Sequence, residues 1–134
     1  MRRLLTDNNY QMIDVENIDN FDSQFAVALE RIDDDLDLFK TIARMFVEDH
    51  VQMLAALRTH LLLDQREQAE QAAHAIKGAI SNFAADAVGD LAFTIENECR
   101  QANLEGARAL LPSLHIAVQQ LSVALQRYCA NHGA

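Results

Sequence analysis

The stretch Ala72-Ala73-His74-Ala75-Ile76-Lys77-Gly78-Ala79 decides how this chain is read. Around it Ala69, Ala72, Ala73, Ile76, Ile80 and Phe83 recur at helical spacing, which predicts an amphipathic helix. At about 100° per residue, His74 falls about 140° from the centre of that apolar stripe and faces water. Lys77 and Gly78 stand one turn further on, where side chains neighbour one another on a helix surface. An exposed imidazole with a cation beside it and bare backbone one turn along suits a group that another protein must reach.

Working outward, the rest of the chain is also helical in pattern. A first helix is expected from about Asn20–Ser23 to Arg31, through Phe21, Phe25, Leu29 and Ile32. Asp33-Asp34-Asp35 then supplies the acidic first turn of a long second helix, favourable against its dipole. That helix reaches about Leu63 through Phe39, Ile42, Phe46, Met53, Leu54, Leu57 and Leu61. Asp64 and Glu67 have capping-box spacing and open the helix that carries His74. Asp86 is expected to cap a fourth helix through Val88, Leu91, Ala92, Ile95, Cys99 and Ala102. A fifth follows Asn103 and runs to about Cys129, with Pro112 expected to kink it or mark its true first turn. Nothing reads as strand, and residues 1–19 lack periodicity and are expected to form a poorly ordered arm. The short joints predict antiparallel neighbours. The fold class is all-α: an antiparallel up-down four-helix bundle over residues 20–131, with a short additional N-terminal helix.

A length of 134 residues fits one domain, and an apolar half is enough for one core. The net charge of −9 argues against nucleic-acid partners and anionic membranes. No stretch approaches the roughly 20 apolar residues of a membrane span, and the start lacks a signal-peptide core. Cys99 and Cys129 read as reduced and buried, which places the protein in the cytoplasm.

Ala73-His74-Ala75-Ile76-Lys77-Gly78 resembles the active-site helix of histidine-containing phosphotransfer (HPt) domains. The likeness extends from about Phe21 to Tyr128: a covering helix, a long helix with Phe46-Val47-Glu48-Asp49 and Leu54-Ala55-Ala56-Leu57, the histidine helix and two more. The resemblance implies a phosphotransfer intermediate of a two-component phosphorelay, taking a phosphoryl group from one receiver-domain aspartate and passing it to another. His74 would be phosphorylated on its outer nitrogen. Lys77 would neutralise phosphoryl charge, and Gly78 would let a partner's loops approach the helix backbone. Gln71, Ser81, Phe93, Glu96 and Arg100 are the expected docking residues, Glu96 and Arg100 as a polar rim.

No cofactor of its own is expected, Mg²⁺ belonging to the receiver's carboxylates. With no Gly-rich phosphate loop the chain is not expected to act as an ATP-dependent kinase. Its expected partners are receiver domains of response regulators and a hybrid sensor histidine kinase. The initiating Met and single-domain length suggest a free-standing protein, with monomer as the default. The sequence departs from the family where Ala79 and Ile80 precede Ser81, leaving Ser81 as a substitute hydroxyl. It departs again where Phe83-Ala84-Ala85 replaces a closing glycine, so that Asn82 is expected in any left-handed cap position. Two other functions compete. One is a module that sequesters receivers without transfer. The other is a metal-binding bundle using Glu70, His74, Asp90, Glu96 and Glu98, although His74 points outward whereas bundle metal sites point inward.

Overall fold

The computed structural model describes residues 3–5 and 12–132, with side chains from Phe21 to His132. Two short strands, β1 (Arg3–Leu5) and β2 (Met12–Asp14), pair antiparallel in the register Arg3↔Asp14, Leu4↔Ile13, Leu5↔Met12. Five helices follow: α1 (Val15–Arg31), α2 (Leu36–Leu62), α3 (Arg66–Ser81), α4 (Asp86–Arg100) and α5 (Leu104–Asn131). The expected all-α bundle is present, with two corrections at its N-terminal end. Strands of three residues are too short to display a period of two, so the hairpin left no pattern to read. Helix α1 starts at Val15 and not near Asn20, because Val15 and Ile18 continue the spacing of Phe21 and Phe25 upstream. The remaining arm positions, 6–11 among them, lie outside the described residues.

Helices α2 to α5 form a ring in which each packs on the next and α5 returns to α2; α3 and α4 share the most extensive contact. The apolar stripes point inward as spaced. Phe39, Phe46, Leu54, Leu57 and Leu61 of α2 are buried against Ala69, Ala73, Ile76 and Ile80 of α3 and Leu114, Val118, Leu121 and Leu125 of α5. One end of the core is aromatic. Phe25 of α1 lies 5.8 Å from Phe39, 5.2 Å from Tyr128 and 6.5 Å from Phe83, between ring centroids, and Phe46 lies 5.5 Å from Phe83. Such tilted pairs add to simple burial. Pro112 sits well inside α5, which runs continuously through it.

The joints differ from expectation. Each turns through a non-glycine residue in the left-handed region: Asp33 and Asp34 (φ 58°), Asp64 (56°), Ala84 (55°) and Ala102 (63°). Three of them close by a six-residue backbone bond, Asp34 N–H to Leu29 O, Gln65 N–H to His60 O and Asn103 N–H to Glu98 O. Asp64 therefore ends α2; it does not cap α3, whose N-cap is Gln65, and its carboxylate is held by Arg108 at 3.0 Å. Asp86 is the first residue of α4, capped by Ala85, and Asn82 is right-handed, so Ala84 takes the position that a glycine would fill. Ala102 is exposed in its turn and not part of the α4 stripe. The side chains that do cap are Asp35, accepting from Leu38 N–H at 3.0 Å, and Asn103, accepting from Gly106 N–H at 3.1 Å.

Alanine is disfavoured in the left-handed region, where glycine is not. Ala102→Gly should therefore raise the unfolding free energy by about 1 kcal/mol, part of the relief being offset by the looser unfolded chain. Ala84→Gly should gain less, because Ala84 is only 5% exposed and its methyl group is packed. Urea midpoints of the two variants check the difference.

Candidate functional site

The seam between α3 and α4 holds a carboxylate inside a largely apolar surface. Glu96 follows Ile95 on α4 and is 3% exposed. A buried carboxylate is costly unless its charge is met, and here three side chains meet it. His74 places Nδ1 2.9 Å from Oε2, Lys77 places Nζ 2.9 Å from Oε1, and Arg100 places Nη2 2.9 Å from Oε2. Arg100 is steadied from behind, donating from Nε to Glu70 Oε2 at 3.1 Å, and Glu70 also pairs with Arg66 at 3.5 Å. The result is a chain of alternating charge from Arg66 to the imidazole.

Burial alone would push the Glu96 carboxyl up. The Lys77 ammonium and the His74 ring beside it outweigh burial and hold it below its ordinary value of 4.5. Glu96 is thus ionised at neutral pH and can only accept hydrogen bonds, so His74 donates from Nδ1. That selects the tautomer whose lone pair is on Nε2. The His74 side chain is 65% exposed, so the ring is open to solvent while its inner edge is held.

Around it the helix surface is bare. Gly78 is exposed, and a Cβ built there would meet nothing within 4 Å. The bundle itself has no need of a glycine at this position. Phe93 is 45% exposed on α4, with the Lys77 ammonium 4.9 Å from its ring centroid. That contact fixes the ammonium between a carboxylate and an aromatic face. Gln71 is exposed one turn before His74.

Most residues singled out in the sequence converge on this seam, with two corrections of detail. Glu96 is buried at its centre and is not part of an exposed rim. Its charge concealed that it adjoins the core residue Ile95, while the Glu96–Arg100 spacing was the available sign of a paired acid. Ser81 does not offer a spare hydroxyl, since its Oγ donates to Gly78 O at 2.6 Å. Glu70 and Arg66 were not anticipated as supports, although their own four-residue spacing signals a pair. Of the carboxylates of the metal-binding alternative, Glu70 and Glu96 are held in ion pairs and Glu98 by Asn103 Nδ2 at 2.5 Å, and the described residues contain no group of three or more potential ligands placed for a metal. Cys99 and Cys129 are both free.

Known proteins bear on this arrangement. Residues 41–124 match the family model of the Hpt domain. The chain belongs to the Hpt domain family, whose members are phosphotransfer carriers in phosphorelays and not kinases, with receiver domains and kinases as their partners. Its fold is similar to the crystal structure of histidine-containing phosphotransfer protein B (HptB) from Pseudomonas aeruginosa PAO1. The TM-score is 0.72 at 20% identity, over 84% of this chain and 95% of that one. No curated protein sequence matches the chain. Among the described residues no helix is long and apolar enough to cross a membrane.

The Glu96 carboxyl has a lower pKa folded than unfolded, so its contribution to stability is complete above its ordinary value of 4.5 and is lost as the pH falls through the folded value. Glu96→Gln should remove that dependence. Its urea midpoint should change less than that of the parent protein between about pH 5 and pH 2.5. Parallel curves would show that the carboxylate is not held as an ion.

Proposed function

We propose that His74 is the phosphoryl-carrying residue of a multistep phosphorelay, accepting the group from a receiver aspartate and passing it to another. The observation that carries this reading is the His74–Glu96 contact: an exposed ring whose Nδ1 is tied to a buried, ionised carboxylate. The Nε2 lone pair attacks phosphorus of the receiver's aspartyl phosphate. The N–P bond forms as the P–O bond to the aspartate breaks, and the carboxylate leaves with the bonding pair. No proton has to be removed from Nε2. The ring becomes a phosphorylated imidazolium that keeps its Nδ1 proton, and the Glu96 carboxylate at 2.9 Å faces the developing positive charge. The same charge makes the ring a good leaving group in the onward step. Transfer is therefore poised in both directions.

Lys77 supplies positive charge one turn from the phosphoryl oxygens. Gly78 leaves room for the receiver's loops, and Gln71, Ser81, Phe93 and Arg100 border the contact. In this reading Mg²⁺ comes with the receiver and the chain needs no cofactor or ATP site of its own. It works as a monomer in the cytoplasm, between a hybrid sensor kinase and a response regulator.

Incubation with a radiolabelled phospho-receiver should place an acid-labile, base-stable label on this chain, and His74→Gln should abolish it. Label retained in His74→Gln would overturn the assignment.

Gly78→Gln separates partner access from chemistry. It should fold with a helix firmer by about 0.5–1 kcal/mol, since glycine is a poor helix former. Transfer from the receiver should slow at least about tenfold through steric conflict, an interface cost of about 1.4 kcal/mol or more. Labelling by the small donor phosphoramidate should be unchanged. Equal receiver kinetics would show that no close approach occurs there.

A further inference from the structure

The seam opposite the site, between α2 and α5, carries two shallow grooves. One of about 380 Å³ is lined by Arg58, Leu62, Arg108, Leu111, Pro112 and His115. The other, of about 290 Å³, is lined by Lys40, Arg44, Val47, Glu48, Leu125 and Cys129, among others. Between them on α2 lies Val51, 63% exposed, and beyond it Leu62, 57% exposed. Lys40, Arg44, Val47, Val51, Ala55, Arg58 and Leu62 follow one another at three- and four-residue steps. They form a single stripe.

Its charge is opposite to that of the chain. In a protein of net charge −9, Lys40, Arg44 and Arg58 stand on this stripe with no ion-pair partner among the described residues, whereas Arg66, Lys77, Arg100 and Arg108 are all paired. Glu48 is the one acid lining either groove. Three cations around exposed valine and leucine side chains give this face a sign and an apolar centre complementary to an acidic amphipathic partner.

We propose that the α2/α5 face docks an acidic amphipathic helix of a second protein, whose apolar side chains enter the grooves and whose carboxylates meet Lys40, Arg44 and Arg58. Self-association is the competing occupant, and the stripe opposes it. Val51 lies midway between Arg44 and Arg58, so an antiparallel pairing of two α2 helices about Val51 sets Arg44 against Arg58 twice. A parallel pairing sets each cation against its own copy. Like charges brought together in this way exclude the wrong partner. Because the seam lies across the bundle from α3 and α4, such a partner stays bound while a receiver occupies His74. The chain then serves as a tethered carrier, with transfer and retention on separate faces.

The test uses the full chain and a fluorescein-labelled synthetic helix of about 18 residues with Leu at every third or fourth position and Glu on the flanks. The control replaces Glu with Lys. Anisotropy should show saturable binding of the acidic peptide only, weakening as salt rises. Arg44→Glu with Arg58→Glu should weaken it at least about tenfold, and Val51→Glu should do the same by blocking the apolar contact. His74→Gln should bind as well as the parent protein, and the bound peptide should leave receiver-to-His74 transfer unchanged. Thus a failure here and a failure of the His74 assignment are told apart. Equal binding of both peptides, or indifference to charge reversal, would overturn the proposal. So would loss of transfer in the presence of peptide, or a dimer in sedimentation that Val51→Glu dissolves.

Discussion

A carboxylate placed where water cannot reach it governs this molecule. Glu96 is tolerable in the α3/α4 seam only because three donors from two helices surround it, and each is fixed in turn by the contact. Buried ion pairs of this kind add little net stability, since desolvation offsets much of the attraction. Their effect is geometric. Slide α4 by one residue against α3 and the carboxylate is displaced from both of its α3 partners, His74 and Lys77, keeping only Arg100 of its own helix. The register of the two helices and the orientation of the imidazole are therefore set by the same group.

The seam also separates two demands on the histidine. A phosphoryl acceptor has to be exposed on one edge and held on the other. An unrestrained surface imidazole meets the first condition but samples many rotamers and both tautomers. A core histidine meets the second and cannot be reached. Pinning Nδ1 from below by a partner on the adjoining helix satisfies both, and in the neutral ring it directs the lone pair to the outer nitrogen. Lys77 and Arg100 set two positive charges against the carboxylates of Glu96 and Glu70.

Much of this was legible in the sequence, and the reasons for what was not are physical. Helices α2 to α5 repeat their apolar residues every three or four positions over fifteen or more residues, long enough for the period to emerge. The outward direction of His74 follows from the same periodicity. Helix ends were harder to place, because all the described left-handed turn positions are occupied by Asp or Ala and the described glycines lie elsewhere. With no glycine to mark where a helix stops, Asp64 and Asp86 looked like starts. Glu96 was misplaced for a different reason. A charged residue beside the apolar stripe is normally solvated, and two of the three donors that take it inside, His74 and Lys77, come from the facing helix, which a linear pattern does not contain.

The aromatic end of the core is lopsided. Rings come from α1, α2, α5 and the residue Phe83 just past α3, while the one phenylalanine of α4 lies outside, under Lys77. Helix α4 is held instead by small and medium side chains, Val88, Ala92, Ile95 and Cys99. Close-packed rings resist displacement more than such contacts do. The bundle thus resembles a vise with unlike jaws: an aromatic frame that carries the histidine, and a slimmer bar, seated along its whole length on the histidine helix, that grips the ring's inner edge.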